Sequence, residues 1–113
     1  MRIARLLVAA TIMAIAGCGD TTGPSADPFS VSVIDDRFSP NALTVNTGTT
    51  VTFSWMASGQ HNVTWLAAGG PPPSATQSSG SYHRTFDTPG TYAYYCTIHG
   101  TPTSGMRGSI VVQ

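Results

Sequence analysis

The sequence predicts an all-β protein, an antiparallel β-sandwich of the Greek-key kind with about seven strands. Short stretches rich in Val, Thr, Phe and Tyr recur along the chain. Turn-forming groups such as Thr47-Gly48, Ser58-Gly59 and Thr88-Pro89-Gly90 separate several of these stretches. No helical periodicity extends beyond a single turn, so the pattern favours packed sheets over a helical protein.

In chain order, we predict strands over residues 29–34, 42–46, 50–55, 61–65, 81–87, 90–96 and 108–112. Alternation turns Cys96 towards the core and Tyr95 to the opposite face of the same strand. Arg84 is a misfit because it shares its side of a strand with Tyr82 and Phe86, and we expect it to reach past the sheet edge to water. Three consecutive prolines indicate a surface loop within residues 66–80.

The first 17 residues read as a secretory signal, with Arg2 and Arg5 before an apolar run that is too short to remain as a spanning helix. The run Ile15-Ala16-Gly17-Cys18 resembles a bacterial lipobox. This resemblance implies that Cys18 is lipidated and becomes the first residue of the mature protein; the alternative is an ordinary signal peptide cleaved nearby. Residues 18–27 then form the lipidated cysteine and a flexible tether, and residues 28–113 form one domain.

Charge and cysteine content exclude several functional classes. Beyond the leader, the chain has three arginines, five aspartates and no lysine, a net charge of −2 that offers no basic surface for nucleic acid. With Cys18 in the anchor or tail, Cys96 is the domain's only thiol, and a disulfide framework is excluded. Because an exported thiol meets an oxidising compartment, metal ligation would protect it.

Four side chains make a candidate metal site: His61, Cys96, His99 and Met106. Each alone is more often a core or partly buried polar residue. Together, a thiolate and two imidazoles suit copper in both oxidation states, and a thioether is a weak axial ligand that tunes the potential. The C-x-x-H spacing and the following methionine let one loop supply three donors, so we predict one mononuclear copper site.

The domain resembles the cupredoxins, small blue-copper proteins of the plastocyanin, amicyanin and halocyanin type. The resembling motifs are FSP, LTV-x-x-GTTVTF, HNV, PGTYAYYC, C-x-x-H and GM-x-G, and they cover about residues 29–112. The resemblance implies that His61, Cys96 and His99 are equatorial ligands and that Met106 is axial. It also implies a carrier of single electrons whose copper cycles between Cu(I) and Cu(II).

The ligand loop departs from the family pattern. Six residues separate His99 from Met106, a longer loop than plastocyanin-like and amicyanin-like proteins lead us to expect. Met106 remains the predicted axial ligand, since Met-Arg-Gly leads directly into the final strand. The remote alternative is Met56, on the loop before His61.

The resemblance also implies supporting groups around the thiolate. Asn62 is expected to strap the ligand loop, with its backbone N–H towards the Cys96 sulfur and its side chain towards Thr97. Ile98 retains an N–H, where many relatives have proline, and this N–H is a second expected donor to the sulfur. His83 is expected to face solvent and to take no part in metal binding.

The resemblance implies transient protein redox partners, which dock through a small interface. The exposed edge of His99, with Pro102 at its rim, is the expected electron port, and Tyr95 is a candidate second port. We expect a monomer held at the periplasmic or extracellular side of a bacterial membrane through its lipid anchor. The alternative function is copper binding or delivery without electron transfer, although Cys96 counts against it.

Two further alternative functions are that of an enzyme and that of a metal-free adhesion module. Multicopper oxidases need paired H-x-H motifs and a binuclear electron-transfer centre needs a second neighbouring cysteine, and the chain contains neither. The sequence therefore favours a carrier, and it leaves open the partners, the reduction potential and which membrane holds the anchor.

Overall fold

A computed structural model describes residues 29–67 and 70–113. Over these residues the chain forms eight strands in two four-stranded sheets and no helix, which confirms the predicted all-β sandwich. The described ranges likewise hold no helix long and apolar enough to cross a bilayer. The predicted signal segment, the tether and Cys18 lie outside the described residues.

The strands follow one another as β1 (Ser30–Ile34), β2 (Arg37–Ser39), β3 (Ala42–Val45), β4 (Thr49–Trp55), β5 (Thr64–Trp65), β6 (Ser81–Phe86), β7 (Gly90–Thr101) and β8 (Ser104–Val112). Each predicted strand overlaps an observed one. The prediction missed β2, because three residues before a proline are too short to show alternation. It also ended β7 early and began β8 late, so that it missed the hairpin joining them.

One sheet has the order β2-β1-β4-β6 and the other has the order β3-β8-β7-β5. Two pairs are parallel, β1 with β4 and β3 with β8, and the remaining pairs are antiparallel. The sandwich is therefore mixed, whereas the sequence predicted antiparallel pairing throughout. Alternation along a strand specifies which face is buried, but it does not specify the neighbour or its direction.

The predicted facing of the strands is confirmed in the core between the two sheets. Phe53 of β4 and Cys96 of β7 are fully buried, whereas Tyr95 lies on the other face and is only partly covered. The buried apolar residues are contributed by both sheets: Val31, Val33, Phe38, Val45, Val51, Phe53, Trp55, Val63, Phe86, Tyr94, Cys96, Met106, Ile110 and Val112. The copper-site candidates Cys96 and Met106 thus belong to the packed interior.

Tyr94 is the aromatic centre of this core. Its ring meets Phe38 and Phe53 edge to face, with ring centroids 4.8 and 5.2 Å apart. The ring lies over Gly108 of β8, where a Cβ atom would come within 2.4 Å of the tyrosine oxygen. Among the described residues, this hydroxyl is the one buried side-chain oxygen or nitrogen without a hydrogen-bond partner, and its burial raises the pKa of Tyr94.

Arg84 does not reach past the sheet edge as the sequence suggested; it stacks on a neighbour on the same face. Its guanidinium carbon lies 4.7 Å from the centroid of the Tyr82 ring, and its Nε donates to the Tyr82 hydroxyl at 3.0 Å. The same hydroxyl accepts from Trp65 Nε1 at 2.9 Å and donates to the carbonyl of Pro72. Tyr82 therefore ties the proline-rich loop to the sandwich.

The contact between Gly108 and Tyr94 leads to a stability prediction. We expect Gly108→Ala to lower the free energy of unfolding by about 1–3 kcal/mol, because the added methyl must displace a ring that is packed on every side. Urea unfolding measures this loss. Gly59→Ala is the matched control, since the nearest atom to its Cβ would be 3.6 Å away; an equal loss in both variants would contradict the prediction.

Candidate metal centre

A bulge in β7 shapes the candidate metal centre. Ladder pairing between β7 and β8 stops after Tyr95 and resumes at Gly100. Between these points, residues 96–99 of β7 stand opposite a single residue of β8, Met106. Such an excess of residues bends a strand and redirects its side chains. The bulge carries two of the predicted ligands, Cys96 and His99, to the end of the core where Met106 is buried.

The long segment between His99 and Met106 is a tight hairpin that prolongs β7 and β8. Gly100 pairs with Gly105, and two residues form the turn beyond them. Gly105 has φ +82°, and a Cβ there would lie 2.6 Å from the His99 carbonyl oxygen, so this close approach requires glycine. Because the hairpin closes at its base, the added length does not move Met106 away from His99.

His61 reaches the centre from the segment between β4 and β5, where its backbone is held on two sides. Trp55 Nε1 donates to the His61 carbonyl at 3.0 Å. Gln77 exchanges two backbone hydrogen bonds with His61, at 2.9 and 3.0 Å. Of the predicted strand 61–65, only Thr64–Trp65 joins a main sheet, and His61 pairs instead with the loop that we expected to be a free surface segment.

The loop of residues 70–80 backs the ligand segment at a further point. Ser74 donates its N–H to the Val63 carbonyl at 3.0 Å, and its hydroxyl accepts the Val63 N–H at 2.8 Å. Val63 is fully buried and lies two residues after His61. This part of the loop is therefore a support for the candidate site.

Three donor atoms converge. The Cys96 sulfur lies 3.9 Å from Nδ1 of His61 and 3.9 Å from Nδ1 of His99, and the two nitrogens are 3.1 Å apart. His61 and Cys96 are fully buried, whereas the His99 side chain is 34% exposed. Met106 is 2% exposed, while Met56, the alternative axial residue, is 69% exposed. Burial thus favours Met106 as a neighbour of the cluster.

The outer nitrogens of both imidazoles meet carboxylates. His61 Nε2 lies 3.1 Å from Asp35 Oδ1, and His99 Nε2 lies 3.5 Å from Asp36 Oδ1. An ionised carboxylate accepts hydrogen bonds and donates none, so both contacts favour a ring proton on Nε2, which is the tautomer that leaves Nδ1 able to bind a metal. Hydrogen bonds from the Gly59 N–H, from His61 and from Ser58 hold the pKa of Asp35 well below its usual range.

Asn62 joins the two ligand segments. Its side-chain oxygen accepts the Thr97 N–H at 3.1 Å, and its Nδ2 donates to the Thr97 hydroxyl at 2.8 Å. The same amide donates to Thr76 at 3.0 Å and accepts from Thr64 at 2.9 Å. The Asn62 amide thus uses both of its N–H donors and both acceptor positions of its oxygen. Its side chain links the segment of His61 to the bulge of β7 and to the loop behind it.

The proposed port residues, and His83, which was expected to take no part in metal binding, lie outside the three-donor cluster. Ile98 is half exposed, beside His99, and Pro102 is exposed at the hairpin turn. Tyr95 faces outwards, opposite Thr64 and Arg107 on the neighbouring strands. His83 is exposed on the other sheet, where its Nδ1 lies 3.0 Å from the Thr52 hydroxyl.

Sequence reasoning missed Asp35 and Asp36. They lie in the turn between β1 and β2, with Asp35 26 residues before His61, and nothing in their spacing connects them with the ligands. The only available signal was a pair of adjacent acids in a domain that is otherwise poor in charge.

The donor set fits a bound copper ion. The two imidazole nitrogens, 3.1 Å apart, and the Cys96 sulfur, 3.9 Å from each, are close enough for one metal ion to bind all three. The buried Cys96 sulfur completes a trigonal set, and a nearby buried thioether is typical of blue-copper sites. No other group of three or more His, Cys, Asp or Glu residues in the described part of the chain has metal-binding geometry.

Comparison with known proteins agrees with this chemistry. The family model for copper-binding proteins of the plastocyanin/azurin family matches residues 30–113. A plastocyanin from Prochlorothrix hollandica is 37% identical over an alignment of 84 residues; the match covers 67% of this chain and 63% of that protein, slightly less than two thirds of its length. The structure of a reduced amicyanin variant has a TM-score of 0.65 at 31% identity, over 79% of this chain and 86% of that one.

A copper-containing nitrite reductase from Thermus scotoductus is also similar, with a TM-score of 0.61 and 29% identity over 79% of this chain and 23% of the reductase. The fold therefore occurs both in small proteins and as one part of a larger enzyme. Since the family model covers most of the chain and the donor set is that of its copper site, this chain belongs to the plastocyanin/azurin family of copper-binding proteins.

Proposed function

We propose that this protein carries single electrons between redox partners while one bound copper ion cycles between Cu(I) and Cu(II). The observation that carries the proposal is the convergence of the Cys96 sulfur with Nδ1 of His61 and of His99 at the buried end of the sandwich. Plastocyanin and amicyanin, to which the chain is similar, support electron transfer as the use of this site.

His61, Cys96 and His99 are the proposed equatorial ligands and Met106 is the proposed axial ligand. Copper supplies the one-electron redox change, and the chain holds the donors in place and keeps them dry. Because strand pairing, the Asn62 side chain and Gln77 all restrain the ligand segments, little rearrangement accompanies a change of charge. The backbone N–H groups of Asn62 and Ile98 remain predicted hydrogen-bond donors to the Cys96 sulfur.

The proposed route for electrons passes through the His99 ring, the one ligand whose side chain is partly exposed. Ile98 and Pro102 are the proposed apolar part of the surface around it, on which a partner can dock transiently, and the exposed Asp36 carboxylate lies beside the ring. Tyr95 is the proposed second port, because it adjoins Cys96 in sequence and lies on the outer face of the sheet. We propose that the protein acts as a monomer.

Electron transfer is favoured over catalysis because the similar plastocyanin and amicyanin are small single-domain copper proteins and the proposed cysteine and first histidine ligands are fully buried. Some proteins with this fold are enzymes, as the likeness to a nitrite reductase indicates, but this chain matches only 23% of that enzyme. Copper delivery is the second candidate. A fully buried thiolate disfavours it, since a delivery site must expose its metal to an acceptor.

The proposed location rests on the N-terminal sequence. Residues 1–17 have the charged and apolar regions of a signal peptide, and Cys18 follows a lipobox-like run. We propose that the protein is exported and that acyl chains on Cys18 hold it to a bacterial membrane on the periplasmic or extracellular side. Each buried methylene of such chains adds about 0.8 kcal/mol to membrane binding.

The copper centre is tested with the protein lacking residues 1–18. After addition of Cu(II), we expect an intense thiolate-to-copper absorption band and a reversible one-electron couple, and we expect Cys96→Ser to abolish the band. Thr91→Ser, an exposed change on the same strand, is the control. A colourless protein, or one that binds Cu(I) without a reversible couple, would contradict the carrier function and favour delivery.

The axial ligand is tested by Met106→Leu. Leucine has a similar volume, so the core stays packed while the weak thioether ligand is lost. We expect the visible band to persist and the reduction potential to shift, as measured by voltammetry. Met56→Leu is the matched control and should change neither property; loss of all copper binding in Met106→Leu would show that this residue is not a tuning ligand.

The membrane anchor is tested in cells that express the full chain. We expect Cys18→Ala to move the protein from the membrane fraction to the soluble fraction, because the acylated residue is removed. Cys96→Ser is the matched control and should stay in the membrane fraction. If the Cys18→Ala variant also remains in the membrane fraction, the prediction of a lipid anchor at Cys18 is wrong.

A further inference from the structure

We propose that Asp35 and Asp36, which are adjacent in the turn between β1 and β2, position both histidine ligands and favour the oxidised state of the copper centre. This inference rests on the proposed function and adds to it two residues that do not touch the metal. Because they act through the imidazoles, they are positioning residues.

Asp35 is itself held in place by the segment that leads to His61. Its Oδ1 accepts the Gly59 N–H at 3.0 Å and lies 3.1 Å from His61 Nε2. Its Oδ2 accepts the Ser58 N–H at 3.1 Å and the Ser58 hydroxyl at 3.0 Å. A carboxylate with this many donors has one orientation, and it passes that orientation to the buried imidazole.

Asp36 reaches the second ligand from the same turn. Its backbone adopts φ 67°, a left-handed conformation that aspartate tolerates better than most residues. Its Oδ1 lies 3.5 Å from His99 Nε2. With 73% of its side chain exposed, this contact is weaker and more screened than that of Asp35. The short turn between β1 and β2 therefore contacts both imidazoles, which come from separate parts of the chain.

Two consequences follow for a bound copper ion. Each carboxylate holds the proton of its ring on Nε2, so that both Nδ1 lone pairs stay directed at the metal. Each also adds negative charge next to the ligand set and makes the imidazole a stronger donor. Because Cu(II) carries one more positive charge than Cu(I), both effects stabilise the oxidised form more than the reduced form.

The test uses the copper-loaded full chain with Asp35→Asn and Asp36→Asn, which keep side-chain size and remove the charge. Asparagine also tolerates the backbone conformation at position 36. For Asp35→Asn we expect Cu(II) affinity to fall by about 10- to 100-fold. We expect a smaller loss of Cu(I) affinity and hence a higher reduction potential. If Cu(II) affinity falls tenfold more than Cu(I) affinity, the reduction potential of this one-electron couple rises by about 59 mV. Asp36→Asn should shift the potential in the same direction by less.

Two comparison variants separate the role of the carboxylate from general charge and from the hydrogen bonds that hold it. Asp87→Asn removes the same charge from the turn between β6 and β7, three residues before Gly90, which is about 20 Å along β7 from Cys96. We expect this control to keep the wild-type potential. Ser58→Ala removes one hydrogen bond from Asp35 but keeps its carboxylate, which the N–H groups of Ser58 and Gly59 still hold, so we expect a smaller shift than in Asp35→Asn.

A second readout needs no metal. Nitrogen-15 NMR of the copper-free protein should show both rings with the proton on Nε2, and mixed tautomers at His61 in Asp35→Asn and at His99 in Asp36→Asn. If Asp35→Asn fails to fold, Asp36→Asn and Asp36→Gly decide the question, because glycine keeps the positive φ and removes the carboxylate.

Unchanged tautomers, together with potentials that move no more than in Asp87→Asn, would overturn the proposal. A failure of the proposed function would be seen differently, because the wild-type protein would then lack the thiolate-to-copper absorption band. The NMR readout still measures the two carboxylate contacts in that case.

Discussion

The candidate site depends on holding three electron-rich atoms together in the dry end of a core. Two imidazole nitrogens stand 3.1 Å apart with a sulfur 3.9 Å from each, although His61 and Cys96 are 35 residues apart in the chain. The chain must therefore bring these atoms together by contacts elsewhere. Pairing of β7 with β8 positions Cys96 and His99, and hydrogen bonds from Trp55 and Gln77 position His61.

The supports come from different parts of the molecule, and each restrains a different movement. The β7 bulge directs two ligand side chains inwards, and the hairpin beyond it returns the chain to Met106. The Asn62 side chain prevents the two ligand segments from separating. The turn between β1 and β2 contacts the outer edges of both rings through Asp35 and Asp36. A centre restrained in this way suits a change of charge without a change of shape.

The same architecture is found in small copper proteins and within a larger nitrite reductase, so the fold alone does not decide the function. What distinguishes this chain is the site. Its cysteine and first histidine are fully buried, a methionine is buried beside them, and only the second histidine has an exposed edge. That exposed edge is the proposed route for electrons.

The sequence by itself determined the strand facing, the metal-binding residue types and their order along the chain. Alternation and the C-x-x-H spacing are local properties, which is why the burial of Phe53 and Cys96 and the closeness of Cys96 to His99 were predictable. Only the tertiary structure decided the two parallel strand pairs, the stacking of Arg84 on Tyr82, the support from residues 74–77, and the contacts of Asp35 and Asp36 with the imidazoles. Each of these features joins residues that are distant in sequence or depends on a neighbouring side chain. Neither the alternation along a strand nor a local motif carries that information.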